Sequence, residues 1–291
     1  MKQFTIDTPI QPERHFHIPF QEAINESWEL LQAGNPYTIL FPPASGKSSL
    51  IQNLHHFVMN NSNDTAIFLD FKSFSRTDFS TTEKFNASLK SLLLNQARNI
   101  SDHLYNFVYK AKLETIEDLF EFFADLTKIE GKKYYLLIDD ADKHCRQDSF
   151  SSFLGLILHS MEISKSRVIT SFTNIVISAS KKINGFKPFE RILTSSEYFK
   201  TWDSTTIQKD YIEANEETIG QYLQDYATAI EFELDSKTIE QLIDETSGKL
   251  ISINKMLRFY DEKVRIYKQK KIITPEEMQH AAGYALISAP Y

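Results

Sequence analysis

The chain has 291 residues, 42% hydrophobic and 24% charged, enough for one large domain or two smaller ones, each with its own core. Lys and Arg total 32 against 39 Asp and Glu; the net charge of −7 excludes a general polyanion binder and leaves room only for a local basic patch. A single cysteine, Cys145, excludes an internal disulfide and a multi-cysteine metal site and fits a reducing, cytoplasmic compartment, and no run approaches the roughly 18–20 apolar residues of a membrane span.

Four short apolar runs punctuate the first two thirds: Pro36 to Phe41, Ala66 to Phe71, Tyr134 to Asp139 and Thr173 to Ser178. They are rich in Ile, Val, Tyr and Phe and continuous rather than alternating, as strands buried on both faces of a parallel sheet read. A fifth strand is expected over Thr206 to Ile212. Between the runs, Gln21 to Leu31, Ser48 to Met59, Phe85 to Arg98 and Leu119 to Lys128 have helical spacing and the length for crossovers. The expectation is an α/β fold with a parallel five-stranded sheet flanked by helices, over residues 1–214.

From 215 to 291 the pattern predicts helices only. Ile219, Tyr222, Leu223 and Tyr226 share one face, and Asp235 can cap a helix carrying Ile239, Leu242 and Ile243 that Gly248 ends. Ile253, Met256, Leu257, Tyr260, Val264 and Tyr267 form a further stripe, and Thr274-Pro275-Glu276-Glu277 supplies a cap, an N1 proline and an N3 glutamate. A small all-α domain follows the α/β domain.

One segment carries chemistry. Phe41-Pro42-Pro43-Ala44-Ser45-Gly46-Lys47-Ser48-Ser49 joins the first predicted strand to a helix and resembles the phosphate-binding loop G-x-x-x-x-G-K-[ST], with Phe41 in place of the first glycine. Gly46 lets the backbone approach a phosphate, and the amides of Pro43 to Ser49, proline excepted, can donate to its oxygens. Lys47 can reach the β- and γ-phosphates, and Ser48 can offer its hydroxyl to Mg²⁺. The third run ends in Asp139-Asp140, an apolar strand closing on acids that resembles the second signature of such ATPases. Asp139 would hold the Mg²⁺ shell where ligands of open α/β sheets collect, and Asp140 would take the place of the base that orients water. Many such ATPases carry Glu there; Asp is one methylene shorter, so slow or absent hydrolysis is an open alternative. Ser178, closing the fourth run, is a candidate sensor of the γ-phosphate. Arg191 is a candidate arginine finger. Gly248-Lys249 and Arg258 are candidate cationic contributions from the helical part. The basic stretch Lys263, Arg265, Lys268, Lys270 and Lys271 reads as a solvated helix face, and no His or Cys spacing supports zinc.

Together these residues resemble the AAA-like ATPases of the STAND and origin-recognition type, a branch of the AAA+ superfamily, over roughly residues 13–260. His17-Ile18-Pro19-Phe20 before an amphipathic helix, and Ala33-Gly34-Asn35-Pro36-Tyr37 leading into the first strand, are similar to that pattern, whose members often lack the loop's first glycine. Ile67-Phe68-Leu69-Asp70 is similar to its second strand, which ends in an acid. Thr246-Ser247-Gly248-Lys249-Leu250 resembles its "T-G-G-x-P" turn, with Leu250 in place of the proline. The resemblance implies a helical lid, ATP and Mg²⁺ as ligands, and adenine near His17, Ile18 and Phe20. It also implies hydrolysis coupled to a conformational switch that engages a protein partner or another copy. The alternatives are a hydrolysis-deficient nucleotide-binding scaffold and an ATP-dependent DNA-associated factor; no membrane partner is expected.

Overall fold

The computed structural model describes residues 21–34, 36–41, 46–126, 128–141, 147–166, 172–180, 206–208, 216–267 and 271–287. The chain divides into two compact units, one built on Glu22–Pro42 and Leu50–Lys209 and the other including the segment from Asp210 onward.

In the first unit the apolar runs become parallel strands β1 (Tyr37–Leu40), β2 (Thr65–Asp70), β3 (Tyr134–Asp139) and β4 (Asn174–Ala179). The body of the sheet thus has four strands rather than five. Of the expected fifth, the described residues Thr206–Gln208 form β5, paired outside β1, giving the order β2-β3-β4-β1-β5; the rest of the expected segment lies outside the described residues. β1, β3 and β4 are buried along their whole length, which is why they lack polar alternation.

The crossovers are α1 (Gln21–Ala33), α2 (Lys47–Asn61), α3 (Thr82–Ile100), α4 (Asp102–Lys110), α5 (Ile116–Leu126) and α6 (Asp148–Ser166). Thr81 caps α3 through Lys84 N, and Ser101 caps α4 through Leu104 N at 3.1 Å. Asn174 ties α1 to the sheet. Its fully buried amide donates to Leu30 O and Leu31 O at 3.0 Å each, and its oxygen accepts from Ile175 N at 2.7 Å. These bonds serve carbonyls of the last turn of α1, of which Leu31 O also accepts from Gly34 N at 3.3 Å. The other side of the sheet packs on an aromatic core. Phe71 meets Phe74 and Phe150 at 4.8 Å and stacks on Phe85 within 3°.

β2 is an edge strand, and its outward backbone groups are taken by side chains. Met59 Sδ accepts from Ala66 N at 3.3 Å, His55 Nε2 meets Ala66 O at 3.2 Å, and the Gln96 amide accepts from Phe68 N at 2.8 Å while donating to Phe68 O. The edge is closed to strand addition in this way. Burial, with the neighbouring His56 adding to it, lowers the His55 pKa to about 4. The unfolded chain therefore binds this proton first, and folding stability falls as pH drops from about 6.5 to about 4. Urea unfolding at pH 7 and pH 4.5 is expected to show His55→Gln losing about 2 kcal/mol less than the native chain over this interval; equal losses would contradict the assignment.

The second unit is helical: α7 (Glu216–Ala229), α8 (Ser236–Thr246), α9 (Leu250–Phe259) and α10 (Pro275–Ile287). Asp235 caps α8 through Thr238 N at 2.7 Å, and Ser247 and Gly248, with φ of 51° and 65°, end it. Glu277 reaches back to Thr274 N at 3.2 Å, one half of the expected capping box. Two expectations need correction. The unit is not all-α, because β6 (Glu233–Leu234) and β7 (Ile272–Ile273) pair in parallel. The stripe from Ile253 to Tyr267 is not one α-helix: it widens into a π turn at Tyr260–Val264 and tightens into a 3₁₀ turn at Arg265–Tyr267. Apolar spacing of three or four residues is compatible with all three windings. Its core holds Tyr222, Leu223, Tyr226, Leu242, Met256 and Tyr260.

Candidate functional site

β1 ends at Leu40, and Phe41 N continues its ladder by donating to Ala179 O at 3.2 Å. Gly46, just ahead of α2, has a φ of 90°, open to glycine and strained for any side chain. α2 begins at the following residue, so Lys47, Ser48 and Ser49 form its first turn, where backbone N–H groups lack helical acceptors. Lys47 is 6% exposed, an unusual position for a lysine, and Ser49 is buried beside it in sequence. From Leu50 on, α2 packs on the sheet: Phe57 shares Trp28 with Tyr135, and His55 and Met59 reach Ala66 near the start of β2.

The strand register gathers three polar groups at the carboxyl end of the sheet. Asp70 is partnered with Asp139, and the β3–β4 register sets Asp139 beside Ser178. Ser178 Oγ donates to Asp139 Oδ1, and Asp140 N donates to the same oxygen at 3.0 Å. Both Ser178 and Asp139 are buried. A doubly bonded Oδ1 fixes the carboxylate and turns Oδ2 toward other partners. That arrangement suits Mg²⁺, which takes one or two protein oxygens and keeps its waters. No group of three or more His, Cys, Asp or Glu residues suited to an all-protein metal cage occurs among the described residues.

Asp140 follows directly, buried, with φ of 56°. Asp tolerates this left-handed backbone better than most residues, and it turns the chain away at the end of β3. Asp70, which opens the turn Phe71–Ser73, accepts from Lys72 N at 2.8 Å. Burial raises its pKa. The Lys72 amide opposes that shift, and the charges of Asp139 and Asp140 add to it. In sequence Asp70 is legible only as a strand-ending acid; its pairing with Asp139 depends on strand order, which no sequence window reveals.

Pro43, Ala44, Ser45, Arg191, and His17, Ile18 and Phe20 lie outside the described residues, as does Cys145. Arg258, a candidate cation, bonds Glu262 at 2.8 Å within its own helical unit, and Lys249 stands at the N-cap of α9. Among the described residues no helix is long and apolar enough to cross a membrane.

No protein-family model matches the chain, and no curated protein matches it. Solved structures do. The Walker-type ATPase PABY2304 of Pyrococcus abyssi aligns at a TM-score of 0.59 and 13% identity, covering 98% of this chain and 75% of that one. The ORC2 protein of Aeropyrum pernix, in ADPNP and ADP complexes, aligns at 0.57 and 10% identity over 99% of this chain and 71% of its own. Cdc6p of Pyrobaculum aerophilum aligns at 0.56 and 12% identity over 94% and 71%. At these identities the likeness is one of fold alone: the chain shares the architecture of these three structures.

Proposed function

We propose that the chain binds ATP with Mg²⁺ as an AAA-like ATPase of the STAND and origin-recognition type. Its nucleotide state would set a conformational switch that engages a protein partner or another copy. The observation that carries this reading is Gly46-Lys47-Ser48, with glycine in a left-handed conformation, opening a 15-residue helix after a buried parallel strand. In the proposal Lys47 and the amides of Ala44 to Ser49 hold phosphate oxygens, while Ser48 and Asp139 serve Mg²⁺. Ser178 senses the γ-phosphate, and Arg191 acts as an arginine finger. His17, Ile18 and Phe20 flank the adenine. Residues 1–214 form the ATPase domain, and residues 215–291 form the lid that answers to nucleotide. The electrostatics of phosphoryl transfer ask for positioned cations and amides rather than covalent chemistry, and these residue types supply them. The fold neighbour with ADPNP and ADP supports a nucleotide ligand. The net charge of −7 gives nucleic acid no support as a partner.

A second reading, a nucleotide-binding scaffold that does not hydrolyse, draws on Asp140, a short carboxylate in a turn. Titration of ATP and ADP, with and without Mg²⁺, into the native chain and Lys47→Ala tests the shared part of both readings. Mg²⁺-dependent micromolar binding lost in the variant is the expected result. Equal binding by both proteins, or none by the native chain, would overturn them.

A further inference from the structure

The apolar stripe of α9 does not end as a continued α-helix would end it. Tyr260 is fully buried, and α-helical winding would keep Val264 and Tyr267 near the same face. The π turn at Tyr260–Val264 and the 3₁₀ turn at Arg265–Tyr267 change the winding, and the next apolar side chains come out into solvent: Ile266 is 61% and Tyr267 82% exposed. β7 follows, burying Ile273 and presenting Ile272, which is 44% exposed. Of the four large apolar side chains exposed among the described residues, three therefore fall within residues 266–272. Tyr267 and Ile272 are separated by at most about 17 Å of chain.

The same stretch is basic. Between residues 258 and 271, Arg258, Lys263, Arg265, Lys268, Lys270 and Lys271 stand against Asp261 and Glu262, in a chain whose net charge is −7. Arg265 meets Asp261 at 2.6 Å, Arg258 meets Glu262 at 2.8 Å and Lys271 meets Glu231 at 2.5 Å, so these acids are matched and cations remain in excess. Lys263 is exposed, one 3₁₀ turn ahead of Tyr267. Lys268 and Lys270 lie outside the described residues and enter by their charge alone. The whole stretch belongs to one compact unit.

Scattered exposed apolar side chains need no explanation; three within seven residues, set among cations, do. Phosphate contact and base stacking give isoleucine nothing, so a single-stranded nucleic acid would use only the cations. A folded protein partner would need a surface shaped to match. An anionic bilayer surface uses both features: aliphatic tips and a tyrosine ring enter the boundary between headgroups and acyl chains, while Lys and Arg meet the headgroup charges. We propose that residues 263–272 are a peripheral docking site for an anionic lipid surface, with Ile266, Tyr267 and Ile272 inserted and Lys263 on the headgroups. The expectation of no membrane partner rested on the lack of a spanning segment, which docking of this kind does not need.

Vesicle flotation of the full chain tests this, with vesicles of phosphatidylcholine alone and of phosphatidylcholine with about 30% phosphatidylserine, in about 0.1 M salt. The native chain is expected to bind the anionic vesicles at least about tenfold more tightly than the neutral ones, and to be released at about 0.5 M salt. The double variant Ile266→Ser with Tyr267→Ser is expected to bind the anionic vesicles about tenfold more weakly, and Lys263→Gln about fivefold more weakly. All three side chains are exposed, so the melting temperature of each variant should match that of the native chain. No binding, equal binding to both kinds of vesicle, or native binding by the double variant would overturn the proposal. So would tighter binding to a single-stranded oligonucleotide that the double variant retains, which would assign the cations to nucleic acid. No ATP enters the measurement, so its outcome is separate from that of the nucleotide reading.

Discussion

Lys47→Ala is expected to weaken Mg·ATP binding about 100-fold in equilibrium titrations. A charged lysine–phosphate hydrogen bond contributes about 1.5–3 kcal/mol, and each 1.4 kcal/mol is tenfold in affinity. The upper part of that range applies because Lys47 is nearly fully buried, where the dielectric is low and competition from water is reduced. Alanine is an excellent helix former, so α2 retains its first turn and the loss falls on the ligand rather than on the fold. Lys47→Arg separates charge from shape: a guanidinium keeps the charge but needs more room than a buried first turn provides, and intermediate affinity is the expected outcome. An alanine variant that binds ATP as the native chain does would remove lysine from the site.

Phe71→Ala is expected to destabilise the chain by about 4 kcal/mol in urea unfolding, near the centre of the range for buried phenylalanine. Phe71 is fully buried and touches four further phenylalanines: Phe74, Phe85, Phe150 and Phe153. These rings come from α3, α6 and the turns after β2, so collapse around a cavity would require several elements to move together. Phe71 also follows Asp70 directly, and loss of its packing loosens the turn that holds the Asp70 carboxylate. A cost below about 1.5 kcal/mol would show that the aromatic core relaxes freely.

The sheet was legible because burial on both faces leaves an uninterrupted apolar signature, and the four runs each became a strand within a residue or two of their expected ends. The Gly46-Lys47-Ser48 turn was legible because its residue types are dictated by backbone conformation and charge, both local properties. The place of Asp70 was not legible, since its neighbour Asp139 is 69 positions away and set by strand order. α4 escaped notice because nine residues offer few turns of periodicity. The π turn at Tyr260–Val264 escaped for a different reason: adding one residue to a turn leaves the apolar stripe intact on paper while changing the path of the chain.

Hydrogen exchange of the native chain, with and without saturating Mg·ATP, locates the ligand on the fold in one measurement. Slower exchange is expected in peptides covering residues 41–54, 134–141 and 174–180, where the helix-opening amides, Asp139 and Ser178 lie. Unchanged exchange in all three, or protection confined to other peptides, would contradict an ATP site at the start of α2.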